Sequence, residues 1–449
     1  MFIRLKLLPD PRLRVLASSF GFGSLCAVGL AASASAQQSI YAPELLRADV
    51  SISEMSGTSL SAPRAVSFSD LEALLREHPS LDAIGFTAEA HRNRAKAALG
   101  LPDPVISFQL NNVPLFDPSF SEYLPSNKAV GIQQALPSGS ERRANSLRSL
   151  RSAEQQELER ERQFAALRGQ MLVYLLEKKS IEQQREYAQQ RQSKYDELAD
   201  IIDIEINAGR PLIFRLAKVD VERTEVSRTL VQLDGDKAEI DAELINLLSF
   251  IPETVIPPLS KTAWTGNALN FYGVRVADAT VGIAVADIDR AEADFKPDWG
   301  VNLTYQQRES GQGPRSNFDG EDWVSGGFSF TVPLWAGQRQ DPNLRAAKND
   351  KSASLARRTA VARQLQAEWM RYEAGRETAV QNVRVLTQQI RAIEDQIAAQ
   401  LITYESGSGD YSPILDGEIA VLMLRAEIVK EDSRRDRMIA KMNSLLVPS

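Results

Sequence analysis

Charged residues stand at matched distances behind two glycines. Arg215 and Lys218 lie six and nine residues after Gly209, while Asp416 lies nine after Gly407, with Pro413 in the sixth place and Asp410 in the third. Side chains of these types can pair, repel or attract ions; alone they make and break no bonds. The usual bond-making groups are scarce. The 449 residues hold two histidines, His78 and His91, and one cysteine, Cys26, and the sequence contains no phosphate-binding loop or nucleophile elbow. The remaining carboxylates form no recognisable catalytic pair, so the sequence does not read as an enzyme, and neither a cofactor nor a metal site is expected. Copper and zinc would lack the imidazole and thiolate ligands they prefer.

Long helices must position these charges. From Gly139 to Asn207 the chain runs without a proline, rich in Glu, Gln, Arg, Leu and Ala, and stops at Ala208-Gly209-Arg210-Pro211. A second such run leads from Gly337 to Tyr404 and stops at Gly407-Ser408-Gly409-Asp410. At 1.5 Å per residue each would span roughly 100 Å. In the second run Leu365, Tyr372, Ala379, Leu386 and Ile393 interleave with Trp369, Val383, Ile390, Ile397 and Tyr404 at seven-residue spacing, the seam of a helix packed along its length on other helices. The first run repeats Tyr174, Ile181, Ala188, Tyr195 and Ile202, but Lys178, Arg185 and Gln192 take the alternate positions, so one side of that helix is expected to meet water. Gly209 and Gly407 are expected to be left-handed helix caps. Gly139 and Gly337, beside Pro137 and Pro333, are expected to bend the chain from strand into helix.

At 25 % charged and 43 % hydrophobic residues the composition is that of a folded protein. Arg4, Lys6, Arg12 and Arg14 precede an apolar run from Val15 to Ala32, and Ala34-Ser35-Ala36 offers a cleavage site, so residues 1–36 read as a secretory signal peptide. Gly23-Ser24-Leu25 before Cys26 argues for simple cleavage over lipidation. Loss of four cations and Asp10 would take the net charge from −7 to −10, which excludes a basic nucleic-acid-binding surface. No later stretch approaches eighteen apolar residues, so no transmembrane helix is expected.

In order, residues 37–68 read as an irregular lead-in and Ser69-Asp70 as the start of a helix reaching about Leu99, with Pro79 in or near its first turn. Strands follow over residues 104–111 and 128–136, each alternating apolar with small or polar residues. Then come the first long helix, a return helix over 212–250 and a proline-rich connector, 251–268. The pattern starts over with a helix at 271–294, strands at about 301–306 and 324–332, and the second long helix. Pro102-Asp103 recurs as Pro297-Asp298, Pro137 as Pro333, Gly139 as Gly337 and Gly209 as Gly407, at offsets of 195 to 198. This steadiness predicts two copies of one unit, residues 69–250 and 269–449, each with two strands and a helical hairpin. The strands have the length and alternation of outer-membrane strands, but four cannot close a barrel, and lipid forbids an open sheet edge. Other copies of the chain would have to complete it.

The chain from the end of the signal onward resembles the TolC-like outer-membrane efflux family. Phe330-Thr331-Val332-Pro333-Leu334-Trp335-Ala336-Gly337-Gln338-Arg339 looks like its strand-to-helix passage, and Tyr404 through Asp416 like its helix turn at the periplasmic tip. Leu101-Pro102-Asp103-Pro104, Asn112-Val113-Pro114 and Gly131-Ile132-Gln133-Gln134-Ala135-Leu136-Pro137 resemble the heavy-metal efflux branch. The resemblance implies a mainly helical fold with membrane β-strands, in which a homotrimer contributes twelve strands to one barrel and twelve helices to a periplasmic tube. It further implies an outer membrane of a Gram-negative bacterium, a periplasmic adaptor docking at the Gly209 and Gly407 turns, an inner-membrane RND-type pump, and a passive exit duct for heavy-metal cations.

On that reading Asp416 and Asp410 form a threefold ring of carboxylates at the tip, with Arg215 or Lys218 holding it shut by ion pairs; such rings favour cations. Pro413 stands where the family often has another acid. Trp335 and Tyr305 are candidates for an aromatic girdle. The alternatives are a channel of the same fold for drugs or secreted polypeptides, and a periplasmic adaptor, which would carry one hairpin rather than two.

Overall fold

The computed structural model describes residues 63–311 and 318–448. The signal-peptide reading, Cys26 and most of the lead-in lie outside them. The chain begins with a two-residue strand, β1 (Arg64–Ala65), then α1 (Phe68–Arg76) and α2 (Pro79–Ala98). The helix expected from Ser69 is thus two helices. Ser67, not Ser69, caps the first by accepting the Asp70 N–H at 3.2 Å. Pro79 has no N–H to continue a ladder and restrains its predecessor to extended backbone, so the helix restarts with His78 as its cap, its Nδ1 accepting the Ser80 N–H at 3.2 Å.

Strands β2 (Val105–Asn111) and β3 (Asn127–Leu136) lead into α3 (Gly139–Asn207), 69 residues long, and the return helix α4 (Ile213–Leu248). The connector is not wholly irregular: β4 (Pro252–Glu253) pairs in parallel with β1, tying the start of the described chain to the end of the first hairpin. Then follow α5 (Tyr272–Ala293), β5 (Trp299–Gln307), β6 (Trp323–Phe330), α6 (Gln340–Glu405) of 66 residues, and α7 (Ser412–Leu445). Helix, two strands, long helix and return helix therefore occur twice in order.

Why α3 begins where it does is visible locally. Ser138 accepts the Glu141 N–H at 3.1 Å, while its own N–H donates to Asp298 Oδ1 at 2.8 Å, so a carboxylate from the second half anchors the helix start of the first. Pro137 and Gly139 lie in this passage and Pro333 and Gly337 in its counterpart. Neither glycine is left-handed, however; among the described residues only Gly209, Gly266 and Gly407 among glycines have positive φ. Gly139 sits in the first turn of α3, and Gly337 in a turn before α6.

The four long strands form one antiparallel sheet in the order β2-β3-β5-β6. Its register puts like with like. Ile106 faces Ile132, which faces Leu303; Phe108 faces Val130, which faces Tyr305; Val301 faces Phe328. The opposite face carries Ser107, Gln109, Gln133, Asn302, Thr304 and Ser325, and no ionisable side chain at any strand position. The apolar face lies open, with Phe108 80 % and Phe328 84 % exposed.

Below the sheet α3 packs on α2, α4, α5 and α7, and α6 on α5 and α7. The expected seams are the contact faces: Ile181, Ala188, Tyr195 and Ile202 are buried on α3, and Ala379 and Ile390 on α6. The expectation that Lys178 meets water fails. It is 8 % exposed and its Nζ forms an ion pair with Asp241 Oδ1 of α4 at 2.8 Å. Its long stem fills a seam position while Asp241 answers its charge. Burial alone would raise the Asp241 carboxyl, but hydrogen bonds from Lys178 and Lys237 outweigh it and hold the carboxyl below its usual range. Arg185 likewise reaches Asp234 of α4 at 2.9 Å, at the exposed rim.

A second charge cluster ties the connector to α6, where Glu373 receives Lys261 at 2.8 Å and Arg376 at 3.0 Å. The Arg376 bond, opposed by burial and helped by Lys261, lowers the Glu373 carboxyl from 4.5 to about 2. A depressed carboxyl stabilises the fold fully above its unfolded value and loses that contribution as pH falls through the folded one. The difference in thermal stability between wild type and Glu373→Gln is therefore expected to be constant above pH 5 and to close between about pH 4.5 and 2. Thermal melts followed by circular dichroism at stepped pH read it directly.

The paired helix turns as candidate functional site

The two long helices end alike. After α3, the Gly209 N–H donates to Ile206 O at 2.9 Å and the Arg210 N–H to Glu205 O at 3.0 Å; after α6, Gly407 donates to Tyr404 O at 2.9 Å and Ser408 to Thr403 O at 3.2 Å. Each is a six-residue helix stop whose left-handed position, at φ +90° and +74°, suits glycine. The return helices then start within a few residues, at Ile213 and Ser412, and leave both turns at one end of the rod.

Beneath the turns Leu198, Ile202, Val219 and Val226 of the first hairpin pack with Leu415 and Ile419 of the second. Over this core the hairpins exchange charge. Arg210 Nη1 donates to Asp410 Oδ1 at 2.9 Å and Arg215 Nη2 to Asp416 Oδ2 at 3.0 Å, and Lys194 Nζ forms an ion pair with Glu418 Oε2 at 2.8 Å. In all three the cation belongs to the first hairpin and the carboxylate to the second. Hydrogen bonding to Glu418, then to Glu197, raises the Lys194 ammonium well above its ordinary value, and the bond to Asp410 raises the Arg210 guanidinium.

Of the residues singled out by spacing, Arg215 and Asp416 meet. Asp410 pairs instead with Arg210, and Lys218 is exposed with no carboxylate within 4.0 Å among the described residues. Arg210, Lys194 and Glu418 escaped the sequence reading because nothing in the chain's order shows which helix faces which. The one signal that could have flagged Lys194 is heptad phase, since it directly precedes the seam residue Tyr195. At the far end Trp335 is exposed in the strand-to-helix passage, and Trp299 packs on Phe330 with ring centroids 5.5 Å apart. Tyr305 donates to Asp322 near the tip of the sheet. No group of three or more His, Cys, Asp or Glu that could hold a metal occurs among the described residues.

Twin hairpins under a four-stranded sheet coincide with a known family. Residues 272–446 match the family model described as outer membrane efflux protein. Proteins of this family are passive channels and not enzymes. The efflux-protein fold extends over both halves, because solved structures superpose on 84 to 85 % of the chain. CusC, described through its folding and transmembrane channel formation, matches with a TM-score of 0.68 at 12 % identity over 85 % of this chain and 92 % of its own. The outer membrane protein VceC of Vibrio cholerae matches at 0.67 with 15 % identity over 84 % and 95 %. The open state of the Neisseria gonorrhoeae MtrE outer membrane channel matches at 0.61 with 17 % identity over 84 % and 88 %. At these identities the likeness carries the fold alone. In sequence, no curated protein matches the chain.

Proposed function

We propose that three copies of this chain form the outer-membrane exit duct of a tripartite efflux pump, passing heavy-metal cations from the periplasm or an inner-membrane pump to the exterior. The observation that carries the reading is the sheet. Its apolar face is continuous across all four strands and exposed, its opposite face is polar, and strands β2 and β6 leave two free edges. In hydrocarbon such a sheet requires closure by further copies, with the apolar face to lipid and the polar face to a water-filled lumen. Channels of the family work as trimers with adaptor and inner-membrane pump partners. For this chain the adaptor would meet the Gly209 and Gly407 turns.

The duct performs no bond chemistry. With an uncharged strand lining, cargo is not sorted by charge in the sheet. The ion pairs sit at the opposite end, where Arg215–Asp416 and Arg210–Asp410 latch the two hairpins of each chain and so hold the tip narrow. A cation leaving the pump would pass hydrated, and the choice of metal would be made upstream. Deleting the gene should sensitise the host to divalent or monovalent metal salts, with resistance restored by the wild-type chain. Sensitivity confined to drugs and detergents would keep the channel and overturn the metal cargo.

A further inference from the structure

The start of α3 carries one acceptor too many. Ser138-Gly139-Ser140-Glu141 has the spacing of a capping box, in which the serine hydroxyl accepts the glutamate N–H and the glutamate carboxylate accepts the serine N–H. Half of the box is made: Ser138 Oγ accepts the Glu141 N–H at 3.1 Å. The other half is taken by a rival, because the Ser138 N–H donates to Asp298 Oδ1 at 2.8 Å. One N–H thus has two claimants, a carboxylate on its own helix and a carboxylate from the other half of the chain.

Asp298 also does more than cap. Directly before β5, it donates its N–H to Thr331 Oγ1 at 2.9 Å and accepts the Thr331 N–H on its carbonyl at 3.0 Å. One residue therefore ties the start of α3 to the adjoining ends of β5 and β6, where the sheet passes into the helices. The charges facing Glu141 at this joint are mostly of its own sign. Asp298 stands before β5 and Asp294 at the end of α5, with Arg290 of α5 as the opposing cation. On α3 itself Arg143 lies over Gly139, and Arg142 is turned to α2, where its Nη1 donates to Leu99 O at 2.8 Å; Thr331 brings no charge. Burial, then Asp298 and Asp294, push the Glu141 carboxyl above its ordinary value of 4.5, against the pull of Arg290.

We propose that a proton held between Glu141 and Asp298 fastens the joint of sheet and helices, and that its loss loosens it. With the proton on, the Glu141 O–H donates to the Asp298 carboxylate, which keeps the Ser138 N–H as well, and the two halves are tied. With the proton off, two carboxylates compete for that N–H. Glu141 then completes its own capping box, favoured by the positive end of α3, and Asp298 is released. The joint is tight in acid and looser toward neutral pH. All of its parts lie within one chain, so it stands or falls apart from cargo and assembly.

Infrared difference spectra of the detergent-solubilised full chain test it. Wild type is expected to show a protonated-carboxyl band that is missing in Glu141→Gln and that persists to higher pH than in Asp298→Asn. Stability gives a second readout. A carboxyl raised in the folded chain binds its proton more tightly there than when unfolded, so the ionised form costs stability as pH rises. Glutamine can donate to Asp298 at every pH. Glu141→Gln should therefore match wild type in acid and exceed it in melting temperature as pH climbs above 4.5, whereas in an Asp298→Asn background the gap should not open. Such a band and such a gap support the shared proton. If Glu141→Gln removes no band, if the band titrates alike in wild type and Asp298→Asn, or if the gap does not vary with pH, the carboxyls share no proton and the joint is fixed.

Discussion

Asp241→Leu is expected to destabilise the first hairpin by about 3–5 kcal/mol, because it strands a buried ammonium. Lys178 sits on the α3 seam, and Asp241 is the one carboxylate within 4.0 Å of it among the described residues. The reverse change is expected to cost less. In Lys178→Met, Asp241 keeps Lys237 at 2.8 Å and its charge remains answered, while methionine fills much of the vacated volume. The double variant Lys178→Met with Asp241→Leu should return close to wild-type stability, since replacing a buried ion pair by apolar residues of similar size is often neutral or better. Thermal loss of helical circular dichroism in the detergent-solubilised protein would order the variants. Equal losses from the two single changes would show that the pair is not isolated in the way the packing implies.

Asp416→Arg should give the largest change in conduction. In wild type the Asp416 carboxylate receives Arg215 of the other hairpin, both at least partly exposed, so the pair contributes up to about 1 kcal/mol per chain. A single pair of that size would latch nothing firmly. In the proposed trimer three such pairs released together would amount to about 3 kcal/mol, or about a hundredfold in the ratio of closed to open tip. Charge reversal also sets two cations against each other, so recordings of the variant are expected to show longer openings and a weaker preference for cations. Arg215→Asp combined with Asp416→Arg restores an ion pair with its polarity exchanged and should recover the closed tip. Conductance and cation preference unchanged by Asp416→Arg would remove the pair from the gate.

Much of the architecture was legible because local signals and long-range packing agree. Helix α3 spans Gly139–Asn207 as expected, because a serine cap marks its start and a glycine that accepts positive φ marks its end. The strands were legible because one face is apolar at every second residue, and the cross-strand register then lines those residues up. Where a residue's role depends on another helix, spacing was a poorer guide. Lys178 read as a solvated position because a seam lysine usually meets water, and its partner lies 63 residues on, across a hairpin. Lys218 drew attention by counting from Gly209, whereas the neighbouring turn residue Arg210 is the one that reaches Asp410. The break at His78-Pro79 was a matter of local chemistry: the proline was seen, but a histidine nitrogen can serve as the cap of the helix that follows.

The central claim is that this chain makes a water-filled duct through the outer membrane, and single-channel recording from the purified full chain in planar bilayers addresses it most directly. Discrete conductance steps, with cation preference reduced by Asp416→Arg, are the predicted result. A protein recovered from the outer-membrane fraction that inserts and yet shows no steps at any voltage would contradict it.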